Sequence, residues 1–159
     1  TMIAENLHHV QTRMTQACIQ AGRAADAVRL LAVSKTFGAD AVAQAHAAGQ
    51  VAFGENYIQE AVDKIQALQH LPLEWHCIGP IQSNKTRLVA EHFDWVHTVD
   101  RLKIAQRLSE QRPAHLAPLQ VCIQVNVDGG LTKSGVAPDE ALALAQTVAA
   151  LPQLCLRGV

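Results

Sequence analysis

The sequence predicts an α/β fold built on a parallel sheet, and three observations carry that reading. Short apolar runs of strand length recur along the 159 residues. Segments with apolar residues at three- and four-residue steps separate them, and Gly, Pro, Asn or Asp marks the changeovers. Strands that alternate with helices are parallel, because a crossover helix returns the chain to the same edge of the sheet and covers its faces.

Met2 to Ala21 places Ile3, Leu7, Val10, Met14 and Cys18 on one helical face and stops at Gly22. The run Leu30 to Ser34 is the first strand, closed by Lys35 and the turn-like Thr36, Phe37 and Gly38. Ala39 to Ala48 is rich in good helix formers, with Gly49 as its stop. Val51 to Phe53 is the second strand, ended by Gly54, Glu55 and Asn56, and Ile58, Val62, Ile65 and Leu68 give the next helix up to Pro72. Glu74 to Ile78 is the third strand, and Ser83 is placed to N-cap a helix reaching His92. Trp95 to Val99 is the fourth, with Asp100 as cap of a helix from Leu102 to Ser109. Leu119 to Val127 is the fifth, Pro138 opens a helix to Ala150, and Leu154 to Leu156 begins a sixth strand.

Composition bounds the function classes. At 49% hydrophobic and 17% charged residues, with a formal net charge of −1, the chain has the make-up of one core in one domain spanning residues 1–159. It carries no basic run that would mark a nucleic-acid or anionic-membrane surface. No apolar stretch approaches the roughly 20 residues of a membrane span, and the N-terminal helix does not resemble a signal peptide, so a cytoplasmic protein is expected. Cys18, Cys77, Cys122 and Cys155 are scattered and read as reduced thiols, neither disulfides nor metal ligands.

Two architectures fit the pattern: an open doubly wound sheet, or part of an eight-unit barrel, which typically needs about 250 residues. In both, ligands bind at the carboxyl ends of the strands. Those positions here carry Lys35, Glu55 and Asn56, His76 within its strand, Asp100, Asn126, and the loop residues Lys133, Ser134 and Gly135. A lysine amine walled by apolar groups favours the neutral nucleophile that condenses with an aldehyde, which makes Lys35 a Schiff-base candidate against the simpler reading of a solvated strand-end lysine. His76 either points into a polar pocket or is a satisfied core histidine. Asn56 and Asn126 are natural caps of their own helices or turns, and Glu55 and Asp100 of the following helices. The segment Gly79 to Thr86 resembles a phosphate loop but has Asn84 where glycine must precede the Lys-Thr pair, so nucleoside triphosphate hydrolysis is not supported, although Lys85 and helix-start amides converge there. Zinc-hydrolase and serine-nucleophile motifs are absent from the sequence.

Ala32-Val33-Ser34-Lys35-Thr36, Phe53-Gly54-Glu55-Asn56-Tyr57-Ile58-Gln59-Glu60, Trp75-His76-Cys77-Ile78-Gly79-Pro80-Ile81-Gln82-Ser83-Asn84-Lys85 and Lys133-Ser134-Gly135 together resemble the pyridoxal phosphate homeostasis protein family, in order and spacing, across the whole chain. The resemblance implies a (β/α)8 TIM-barrel type fold like the N-terminal domain of alanine racemase, with an N-terminal helix, βα units one to five and the start of strand six present here. It implies pyridoxal phosphate held as a Schiff base on Lys35, with Asn56, His76, Asn84 and Lys133 around it and Lys85 a weaker candidate. It also implies two further βα units whose Ser, Arg, Gly and Thr groups hold the cofactor phosphate, so the chain is expected to be part of a longer protein that binds the cofactor less tightly alone. The expected role is intracellular vitamin B6 homeostasis without committed catalysis, with amino or keto acids as further partners. The alternatives are an amino-acid racemase, whose second-face acid could only be Tyr57, the single tyrosine, and a cofactor-free interaction scaffold.

Overall fold

The structure is a computed structural model describing residues 2–159. Helix α1 (Met2–Gln20) precedes β1 (Ala32–Val33), α2 (Ala39–Ala47), β2 (Ala52–Glu55), α3 (Ile58–Ala67), β3 (Glu74–Cys77), α4 (Thr86–His92), β4 (Trp95–Val99), α5 (Leu102–Gln111), β5 (Leu119–Ile123), α6 (Ala141–Ala149) and β6 (Leu154–Gly158). All six strands are parallel and lie in sequence order in one sheet.

That order decides between the two architectures. A doubly wound sheet reverses direction at a switch point, which puts helices on both faces. Here every crossover steps to the next strand in the same direction, and right-handed crossovers of that kind place all the helices on one side. The other side becomes the interior of a barrel wall.

Registers then sort the side chains. Glu55, Cys77, Val96, Val121 and Leu156 are successive partners across the sheet and form a row facing the helices. Val33, Gly54, His76, Trp95, Gln120 and Cys155 form the alternating row on the inner face. Between sheet and helices, Phe53, Phe93, Ile104, Leu108, Leu119 and Ile123 are buried almost completely. Each stabilises the fold by about 1.5–3 kcal/mol relative to an exposed position. Arg112 closes the lower end of α4: its guanidinium donates to the carbonyls of Ala90 at 2.9 Å and Phe93 at 2.6 Å, acceptors that a helix end leaves unpaired.

Four local expectations are corrected. β1 is two residues rather than five: its ladder with β2 stops at Val33, and the Phe37 N–H reaches the Ser34 carbonyl at 3.1 Å to turn the chain. β5 ends at Ile123 instead of Val127, and the chain then folds back so that the Asn126 N–H reaches the Val136 carbonyl at 2.8 Å. Ser83 does not cap a helix; it starts a 3-10 turn, Ser83–Lys85, and its carbonyl accepts from Thr86 Oγ1 and Arg107 Nε. Asp100 does not cap α5, since its carboxylate takes the Gly135 N–H at 3.0 Å from the loop after β5. No described helix is long and apolar enough to cross a membrane.

Candidate functional site

Because the strands are parallel, the segments that follow them gather at one edge of the sheet. Lys35 lies two residues beyond β1, Asn56 directly follows β2, Gly79 follows β3, and Asn126 and Lys133 lie in the loop after β5. Continued two residues past its last pair, Val33 with Gly54, the β1–β2 register brings Lys35 level with Asn56, on the inner-face side by alternation with Ser34 and Glu55. Lys35 is exposed and has no hydrogen-bond or ion-pair partner among the described residues. The Asn56 side-chain oxygen is buried and also unpartnered. A buried amide oxygen without a donor costs free energy, about 1–3 kcal/mol, unless something supplies one. The expectation that Asn56 caps its own helix therefore fails: the residue before α3 is Tyr57, and no side chain caps that helix.

Gly79 explains how Asn56 is held. A Cβ on Gly79 would stand 2.5 Å from the Asn56 carbonyl oxygen and 2.9 Å from its Cα. The β3 loop thus runs against the β2 turn at a distance only glycine allows.

Behind Lys35, on the helix side, lies a charged network that the strand pattern did not reveal. Glu55 is 0% exposed in a row of apolar residues. It accepts from the Ser34 hydroxyl and from Lys64 Nζ of α3 at 3.1 Å and 3.2 Å. Lys64 Nζ also reaches the Ser34 carbonyl at 2.8 Å and Glu60 at 3.0 Å. Glu60 in turn accepts the Thr36 N–H at 3.0 Å. The hydrogen bond from Lys64 holds the Glu60 carboxyl below the usual carboxylate range. Glu55 is therefore a buried ion-pair member, not a helix cap.

On the inner face, His76 is 6% exposed. Its Nε2 lies 2.7 Å from Glu74 and its Nδ1 2.8 Å from Nε2 of His97. The ring stacks on Trp95 with centroids 5.2 Å apart, and the Arg157 guanidinium sits 5.6 Å from the Trp95 centroid. A carboxylate only accepts, so His76 carries its proton on Nε2 and its Nδ1 receives the Nε2–H of His97. Burial pushes both rings below the ordinary histidine value, although Glu74 pulls His76 the other way. Both ring nitrogens of His76 are thus engaged, and the ring lies on the inner face of the sheet among polar partners.

Asn84 is exposed in the turn after β3, and Lys85 is half-buried there. Lys133 is exposed and bonded to Asp128 at 2.9 Å. Asn126 caps its own loop, accepting the Gly129 N–H at 3.1 Å and donating to the Gly130 carbonyl at 2.9 Å. Lys35 and Asn56 thus stand at the ends of adjacent strands, whereas Lys133 is engaged within its own loop. Among the described residues no cluster of His, Cys, Asp and Glu is placed to hold a metal ion. Burial pushes the Cys77 thiol up to about 11, which leaves it protonated and unreactive.

His97, Glu74 and Lys64 were not singled out in the sequence. The signal for His97 was its two-residue spacing from Trp95, opposite the buried Val96. The signal for Lys64 was its place on the apolar face of α3 with Glu60 one turn earlier.

A one-sided parallel sheet in sequence order, with an amine at the carboxyl end of its first strand, defines a barrel protein of the alanine racemase N-terminal domain class, and residues 3–159 match that family. Alanine racemase from Corynebacterium glutamicum shares the fold at a TM-score of 0.65 and 18% identity, over 96% of this chain and 41% of that one. The chain is 63% identical over 157 residues to a pyridoxal phosphate homeostasis protein of Pseudomonas aeruginosa, covering 99% of this chain and 68% of that protein. It is 56% identical to the Escherichia coli protein of the same name over 160 residues, again 99% and 68%. PipY of Synechococcus elongatus, solved with pyridoxal phosphate bound, superposes with a TM-score of 0.83 at 37% identity, over 99% of this chain and 68% of that one. The chain belongs to the pyridoxal phosphate homeostasis protein family.

Proposed function

We propose that this chain is the part of a pyridoxal phosphate carrier that holds the cofactor covalently, with Lys35 condensing with its aldehyde, and that the protein buffers intracellular pyridoxal phosphate. The observation that carries the reading is the occurrence, at the ends of two neighbouring strands, of an exposed amine without a partner and a buried amide oxygen that lacks a donor. An aromatic aldehyde with hydroxyl and ring-nitrogen groups meets both needs. The residues present therefore fit the group.

When bound, the cofactor supplies an electrophilic carbon and an electron-accepting ring. The chain's own residues supply the rest. Lys35 contributes the nucleophile, Asn56 a hydrogen-bond acceptor beside it, and Gly79 the clearance that keeps Asn56 in place. His76, with both nitrogens engaged, supports the site from the barrel interior. Asn84 and Lys133 belong to the surrounding loops, and an anionic group competing with Asp128 would release Lys133 toward it. Tyr57 is 54% exposed at the start of α3, so nothing here favours a racemase. Amino and keto acids are the expected exchange partners, and the cytoplasm the expected location.

Pyridoxal phosphate added to the purified chain should give a visible absorbance band. Borohydride reduction and peptide mapping should place the adduct on Lys35, with both signals absent in Lys35→Ala. An adduct spread over surface lysines would refute the assignment.

A further inference from the structure

We infer that Lys64 and Glu60 are positioning residues that clamp the backbone on both sides of Lys35 from the helix side of the sheet. The inference rests on the reading of Lys35 as the aldehyde-holding residue and adds to it the groups that aim the amine.

Two peptide groups flank Lys35, and each is anchored by a side chain of α3. The Ser34 carbonyl, in the first, accepts from Lys64 Nζ at 2.8 Å and from the Phe37 N–H at 3.1 Å, closing a turn over residues 34–37. The Thr36 N–H, in the second, is held by Glu60 at 3.0 Å. The two anchors are themselves joined, Lys64 to Glu60 at 3.0 Å, and Lys64 is tied to the sheet through Glu55. With one atom of each peptide group anchored, rotation about both φ and ψ of Lys35 is restrained, which limits the directions its side chain can take. Left free, the turn would not keep this shape. Thr36 has a φ of 67°, a left-handed conformation that a β-branched residue avoids. Strain of this kind persists only where surrounding groups over-determine it, and it concentrates at functional sites. Burying Lys64 of α3 against Glu55 of the helix-facing row is expensive where hydrophobes would pack, and the geometry gives the lysine this use.

Glu60→Ala tests the clamp, because the Glu60 side chain is 37% exposed and its loss leaves Lys64 bonded to Glu55 and Ser34. Amide exchange at Thr36 should accelerate about 10-fold or more, as for loss of one protecting bond. The rate of borohydride-trapped pyridoxal phosphate addition at Lys35 should fall by a similar factor, while the thermal transition stays within a few degrees. Glu60→Gln, which retains an acceptor oxygen, should restore both. Unchanged exchange at Thr36 overturns the clamp irrespective of any cofactor. Faster exchange with an unchanged trapping rate overturns the positioning role. Absence of any Lys35 adduct in the unsubstituted chain overturns the cofactor reading and the purpose assigned to the clamp with it, and the exchange data keep that failure separate from the first.

Discussion

The two faces of the β1–β2 edge are finished to different degrees. On the helix face, Ser34, Glu55, Lys64 and Glu60 satisfy one another. On the inner face, one residue along, Lys35 has no partner and Asn56 keeps a buried oxygen without a donor. Groups that only hold the fold find their partners within it, whereas groups kept for a ligand remain unsatisfied until it arrives. Substitutions on the helix face should therefore cost stability, and substitutions on the inner face should cost binding.

The largest effect is expected from Lys64→Met, which leaves Glu55 buried without a counter-charge. Denaturant unfolding should show a loss of about 3–5 kcal/mol, and a small loss would mean that water reaches Glu55. Gly79→Ala comes next, because the methyl group must displace Asn56 or its own loop. A loss of about 1–3 kcal/mol is expected, together with weaker pyridoxal phosphate trapping at Lys35, since the close approach of this glycine sets the position of Asn56.

A smaller, graded effect should come from pH. His76 and His97 titrate below the ordinary 6.5 in the folded chain, so the unfolded chain binds more protons in that range. Their contribution to stability is complete above pH 6.5 and is lost as pH falls through that value toward the folded-state pKa. Melting temperatures between pH 7.5 and 5 should decline, and the slope should flatten in His97→Gln. Glu60, whose pKa is lowered, adds a second decline that begins only near its ordinary 4.5. The smallest stability effect is expected for Lys35→Ala, within about 0.5 kcal/mol because the exposed amine makes no hydrogen bond or ion pair among the described residues, although it should abolish the adduct. A large destabilisation by this substitution would erase the distinction between the faces.

The secondary structure was largely legible, because a change from strand-like runs to three- and four-residue spacing survives without tertiary information. α1, β3, β4 and the helices after β1 and β2 fall within a residue or so of where the pattern places them. The misreadings lie where a side chain's partner comes from elsewhere in the chain. Asp100 has the sequence position of a helix cap, yet Gly135 takes it. Ser83 likewise serves Arg107 through its carbonyl. Glu55 looked like a helix cap at a strand end and is a core ion-pair member, because α3 carries Lys64 back over the sheet.

By itself the sequence determined the α/β class, the alternation of units, and the collection of polar residues at the carboxyl ends of the strands, since each depends on spacing within a segment or on the direction of a crossover. Through its motifs it also pointed to the family and to Lys35. Only the tertiary structure decided that the strands run in sequence order and so form a barrel wall, which of two adjacent residues faces the helices, and which polar groups already have partners. These depend on register and on contacts between distant segments, 35 residues apart for Asp100 and Gly135 and 43 for Ser109 and Pro152. No local pattern encodes them, because the free energy of a polar group is set by what stands within about 3 Å of it and not by its neighbours in sequence.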